Sequence, residues 1–85
     1  MDARCKRLLF QARHRGMNEN DILVGGFAAA HMADFSPAEL DELEVILNHL
    51  DIDLFSWLIG QVPLPPEHDG PVMRRLRAFC DEKRR

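Results

Sequence analysis

Arg13-His14-Arg15-Gly16-Met17-Asn18-Glu19-Asn20-Asp21 holds the end of one helix and the start of the next, with almost nothing between them. Upstream, Cys5, Leu8, Leu9 and Ala12 fall on one stripe of a helix over residues 2–15, and cationic residues occupy its other faces. Gly16 is its C-terminal stop, and Arg13, His14 and Arg15 sit where the helix dipole favours positive charge. Downstream, Asn18 or Asn20 is suited to cap a second helix, and Glu19 and Asp21 suit its positive end. Ile22, Leu23, Phe27 and Ala30 carry that helix to about His31. So short a gap forces an αα-hairpin with the Arg15 to Asp21 stretch exposed at its tip. Gly25 and Gly26 each cost a helix interior about 1 kcal/mol against alanine, so they predict a close helix approach or a kink.

The rest of the chain repeats the same period. Ser36, Pro37 and Glu39 supply an N-cap, a first-turn proline and a capping-box acid for a third helix running to about Asn48. Leu40, Leu43, Ile46, Leu47 and Leu50 form its apolar stripe, with Asp41, Glu42 and Glu44 outside. A short fourth helix over about 53–60, capped by Asp51 or Asp53, turns Leu54, Trp57 and Leu58 inward. Pro63, Pro65 and Pro66 make residues 61–70 an extended link. Asp69 and Pro71 open a fifth helix with Val72, Met73, Leu76, Phe79 and Cys80 on its apolar side, and Asp81 to Arg85 fray at its end. The expected architecture is an all-α compact five-helix bundle forming a single domain over residues 1–85, with an exposed hairpin tip between its first two helices.

Composition narrows the function. A chain of 85 residues has a thin core, which favours a binding module over a deep catalytic pocket. Cys5 and Cys80 stand near opposite ends without a C-x-x-C pattern, so buried free thiols in a reducing cytoplasm are expected; a disulfide joining the first and last helices is the less common alternative. No apolar run approaches the roughly 20 residues that a membrane span needs. The net charge of −3 conceals an asymmetry: lysine and arginine occur only in residues 4–15 and 74–85, around an acidic middle. First and last helices packed side by side would present one cationic face; two solvated basic helices neutralised by the middle are the equal alternative.

Few constellations carry chemistry. His14, His31, His49 and His68 lack the spacing of a helical metal site, and no nucleophile, phosphate loop or carboxylate pair stands out. Trp57 reads as core. Arg74, Arg75 and Arg77 would suit a DNA-binding module, but the acidic middle opposes nucleic acid. A general protein-interaction domain and a small FAD carrier are further alternatives, the last without a glycine-rich nucleotide motif to support it. The hairpin tip remains, with Arg15, Gly16, Met17, Glu19 and Asp21 as candidate binding residues. Helix-end electrostatics would select an Arg, a Gly and a Glu at these positions without any function.

Arg15-Gly16-Met17-Asn18-Glu19 nevertheless resembles the R-G-x-x-E signature of the succinate dehydrogenase flavinylation (assembly) factors. Asp53-Leu54-Phe55-Ser56-Trp57-Leu58 resembles that family's D-P-D-L-x-x-W segment, and the likeness covers about residues 4–80. Departures are Ile52 in place of a proline, Asn20 where a leucine often follows the Glu, and Gly26 where a larger residue is usual. The resemblance implies a bacterial cytoplasmic factor, monomeric when free and not an enzyme. Its implied partner is the flavoprotein subunit of succinate dehydrogenase, and in some bacteria that of fumarate reductase, without nucleic acid or membrane insertion. It would bind no cofactor tightly, the FAD belonging to the partner. In that setting Gly16 would let the backbone approach the partner, Arg15 would pair with a carboxylate or the dinucleotide's phosphates, and Glu19 would orient a polar group near the flavin.

Overall fold

The computed structural model describes residues 2–84; Met1 and Arg85, the last of the residues expected to fray, lie outside them. Among the described residues there are five α-helices, two short 3-10 turns and no strand, the all-α class expected. Ala3–Arg13 form α1, whose first turn is capped by the Asp2 carboxylate accepting from the Cys5 amide at 2.8 Å. The helix stops two residues before Arg15. His14 leaves helical geometry, and the Arg15 amide donates to the Asp21 carboxylate at 2.8 Å instead of extending the helix.

Asn18–His31 form α2, and neither asparagine caps it: Met17 holds the N-cap position without a side-chain bond. Asn18 is exposed and Asn20 is fully buried. The buried stripe is Asn20, Leu23, Val24, Phe27 and Ala28, while Ile22 and Ala30 face outward. Gly25 meets α1 directly: a Cβ built on it would lie 2.9 Å from Arg13 Cγ and 3.2 Å from Arg13 Cα. A Cβ on Gly26 would meet only the Phe79 ring, at 3.6 Å. The Met32–Asp34 3-10 turn then buries Met32.

Pro37–Leu47 form α3 behind the expected capping box, with the Glu39 amide donating to Ser36 Oγ at 3.2 Å and the Ser36 amide to Glu39 Oε1 at 2.8 Å. Leu40, Leu43, Ile46 and Leu47 are buried as expected, but Leu50 is exposed because the backbone there turns extended before the next helix. Asp51–Leu58 form α4, which starts two residues earlier than its sequence suggested and ends before Gly60, at φ +78°. Asp51 is its first residue and not its cap. Leu54, Trp57 and Leu58 point inward.

The proline-rich link carries a 3-10 turn at Pro66–His68 and lays the His68 ring against His49, 4.3 Å between centroids, and against Trp57, 5.4 Å. Pro71–Lys83 form α5. Its cap comes from outside the helix: Glu42 of α3 accepts from the Met73 amide at 2.9 Å, and its carboxylate fills the space a Cβ on Gly70 would need. Asp69, the expected cap, pairs with Arg74 at 2.9 Å. Val72, Met73, Leu76 and Cys80 are buried, and Phe79 packs half-buried against Phe27.

Both α1 and α5 pack chiefly on α2 and α3 rather than on each other, so no shared cationic face forms. Their arginines turn to α3: Arg4 to Asp41 and Glu44, Arg7 to Glu44, Arg75 to Glu39. Exposed pairs of this kind add about 0–1 kcal/mol each. Stability rests on the buried apolar cluster of all five helices, centred on residues such as Leu8, Phe27, Leu43, Leu54 and Leu76. Cys5 and Cys80 are both free and buried, and burial pushes the Cys80 thiol up to about 11, which keeps it unreactive.

The two adjacent glycines separate geometry from helix propensity. Gly26→Ala adds only ordinary contact and should raise stability by up to about 1 kcal/mol. Gly25→Ala must push α1 away and should lower it by about 1–3 kcal/mol. Urea unfolding midpoints of the two variants check both signs.

Burial, the neighbouring His68 and the Arg15 charge hold the His49 imidazole below its ordinary 6.5, against a smaller upward pull from Asp53. Its folded-state value is thus below the unfolded one, the unfolded chain binds more protons between the two, and stability is lost as pH falls through that window. The melting midpoint should therefore drop between about pH 7 and pH 5, and His49→Phe should flatten the drop. Glu39, Glu44 and Asp69, held below their ordinary values by hydrogen bonds, act in a lower window, below about pH 4.5.

Candidate functional site

The hairpin tip is built around a side chain that points inward. Arg15 belongs to the loop between α1 and α2, yet its side chain is only 6 % exposed. Nε donates to Asp51 Oδ1 at 2.5 Å, Nη1 to the Leu47 carbonyl at 2.7 Å and Nη2 to the His49 carbonyl at 2.7 Å. Leu47 is the last residue of α3, where helix carbonyls lack partners and favour a cation, and His49 lies in the turn that follows it. Asp51, at the first position of α4, places its carboxylate where the helix dipole favours an anion. One guanidinium therefore joins the end of α3, the start of α4 and the α1–α2 loop.

Asp51 Oδ1 has a second donor. The Asn20 amide nitrogen gives one hydrogen bond to it at 3.0 Å and another to the Asp51 carbonyl at 3.1 Å. Burial raises the Asp51 carboxyl, but the bonds from Asn20 and Arg15 and the Arg15 charge outweigh that and leave it below its ordinary value. Asp51 stays ionised at neutral pH. Capping is the local use that the sequence suggests for both Asp51 and Asn20. Asp51 instead meets Asn20 across 31 positions and Arg15 across 36, and no periodic pattern announces either contact.

The five candidates thus divide. Arg15 is turned inward, its side-chain donors bonded to Asp51, Leu47 and His49. Asp21 is half-buried and closes the loop by accepting from the Arg15 amide. Met17 is half-buried at the α2 N-cap position. Gly16 and Glu19 are the outward pair. Gly16 sits at φ +94°, and a Cβ built there would meet nothing within 4 Å, so its surroundings are open. Glu19 is exposed, its side chain makes no hydrogen bond among the described residues, and it edges an apolar hollow of about 220 Å³ lined by Ile22, Leu23, Phe55 and Arg84.

Exposed apolar side chains gather at the same elements. Phe10 stacks on His14 at 4.0 Å just before the loop, and Leu50 and Ile52 flank Asp51 in the chain at 70 and 75 % exposure. Three large apolar side chains are thus left open on elements that Arg15 joins. Elsewhere, Arg74 and Arg75 are held by Asp69 and Glu39, so two of the three arginines considered for DNA contact are already paired. Among the described residues, no three His, Cys, Asp or Glu side chains gather as a metal ion would need, and no helix is long and apolar enough to cross a membrane.

Comparison with known proteins agrees with the family resemblance. Residues 6–80 match the family described as flavinator of succinate dehydrogenase. The FAD assembly factor SdhE of Acetobacter pasteurianus is 46 % identical over 74 residues, covering 87 % of this chain and 68 % of that protein. Mitochondrial succinate dehydrogenase assembly factor 2-B is 38 % identical over 87 residues in Drosophila persimilis and 39 % over 79 residues in Drosophila melanogaster. The chain spans 55 and 51 % of the length of those two mitochondrial relatives. With a family match running through the hairpin tip, the Arg15–Asp51 junction and α5, this chain belongs to the flavinators of succinate dehydrogenase.

Proposed function

We propose that this chain binds the flavoprotein subunit of succinate dehydrogenase, and in some bacteria that of fumarate reductase, before the subunit joins its membrane-bound complex, and promotes covalent attachment of FAD to it. The observation that carries the reading is the tip itself: an open Gly16 and an unpartnered Glu19, carried on a loop that Arg15 ties to two other helices, in a chain of this family. The covalent bond is made by the flavoprotein's own chemistry. The factor selects a conformation of its partner in which the FAD and the acceptor histidine are close and aligned, so its contribution is positioning.

FAD stays with the partner. The sequence carries no glycine-rich nucleotide motif that would hold it here. Gly16 lets partner backbone come close, Glu19 supplies a carboxylate for a polar group near the flavin, and Arg15 contributes by holding both in place. The factor acts as a cytoplasmic monomer and leaves when assembly proceeds.

In-gel fluorescence of the denatured flavoprotein subunit, from cells deleted for this gene and complemented with variants, reads the function. Deletion should remove most of the covalent flavin signal and wild type should restore it; an unchanged signal on deletion would falsify the reading. Glu19→Ala should restore it poorly while changing stability by less than about 0.5 kcal/mol. Arg15→Ala should lose both, with a stability cost on the order of 2–3 kcal/mol for the carboxylate and carbonyls it leaves behind. Gly16→Ala and Gly16→Leu share one backbone penalty of about 1–2 kcal/mol, so a deeper flavinylation defect in the leucine variant measures how closely the partner approaches.

A further inference from the structure

Asn20 combines three observations that core packing does not explain. It is fully buried, the one buried polar or charged residue of the chain among those described, and it sits on the core-facing stripe of α2 where an apolar side chain would be expected. Its amide nitrogen grips Asp51 twice, through the carboxylate oxygen that also takes the Arg15 bond and through the backbone carbonyl. Its own Oδ1 is buried without a partner. A half-satisfied amide of this kind lowers stability compared with an apolar side chain that fits. Local rules are broken in this way most often where function requires it.

We propose that Asn20 is a positioning residue for the hairpin tip: by fixing the Asp51 carboxylate from the α2 side, it sets the direction in which Arg15 is held and hence how Gly16 and Glu19 are presented. This rests on the reading of the tip as the flavoprotein-binding site. Two donors converging on Oδ1 define the carboxylate's rotation about its side-chain bonds, which one donor from a flexible arginine does not. The second bond, to the Asp51 carbonyl, fixes the first turn of α4 relative to α2, so the acceptor and its backbone are registered together. The other end of the chain of contacts is the Arg15 amide on Asp21, which lies one residue after Asn20 on the same helix. Asn20 and Asp21 thereby hold the Arg15 loop from both sides, one through its side chain and one through its backbone.

The test separates order at the tip from global stability. In Asn20→Leu, the melting midpoint should be unchanged or higher, while hydrogen exchange of the Arg15 amide and of the Arg15 Nε–H, read by nitrogen-15 NMR, should speed up about tenfold. Covalent flavin formation in complemented cells should fall several-fold. Asn20→Ala, smaller than the native side chain, serves if the volume of leucine disturbs the fold. Unchanged exchange at Arg15 in a folded variant overturns the proposal, whatever happens to flavinylation, and loss of fold in both variants makes Asn20 a core strut and overturns it too. Faster exchange with full flavinylation also overturns it, provided Glu19→Ala lowers the signal in the same cells. If Glu19→Ala leaves the signal full as well, the failure belongs to the tip as a binding site.

Discussion

The Arg15 guanidinium replaces, in one group, partners that three chain segments would otherwise lack. Two carbonyls at the end of α3 have no helical donor, a carboxylate at the start of α4 is drawn out of water, and the loop after α1 has no regular structure of its own. Each need is met by a planar fork whose donors are fixed relative to one another, which lysine could not reproduce. Side-chain burial makes these bonds strong and their loss costly. The path of α1 into α2, the sharp turn from α3 into α4 and the openness of Gly16 all depend on that placement.

Much of this was legible in the sequence. Ser36, Pro37 and Glu39 announce α3 because a capping box is local, with each partner three positions from the other. Gly16 and the nearness of Asn18 to Arg15 announce the hairpin for the same reason, and Gly25 announced a close approach that α1 makes. The errors share a cause. Asn20, Asp51 and Asp69 were assigned to local caps, their commonest use, whereas Asn20 and Asp51 meet each other across 31 positions and Asp69 turns to Arg74. Glu42, placed on an outer face, caps a helix that starts 29 residues later. Polar contacts between distant segments leave no period in the sequence.

The same division applies to the hairpin tip. The R-G-x-x-E pattern groups Arg15, Gly16 and Glu19 together, but the structure turns Arg15 to the interior and Gly16 and Glu19 to solvent. A motif records which residues are needed and not whether they touch a partner. The second resemblance, to D-P-D-L-x-x-W, begins at Asp51 itself, the residue that Arg15 holds. The two signatures are therefore two sides of one junction, which gives a physical reason for them to occur in one chain.

All three of Arg15's side-chain anchors lie 32 to 36 residues further along the chain. During synthesis, α1 and α2 emerge first and can pair through their local contacts, but the loop between them has nothing to close upon until Leu47, His49 and Asp51 have followed. A nascent chain that stops short of α4 carries every residue of the Arg15 to Glu19 stretch and still lacks the shaped tip. The geometry of the tip thus certifies that the chain has been made and folded at least as far as the start of α4.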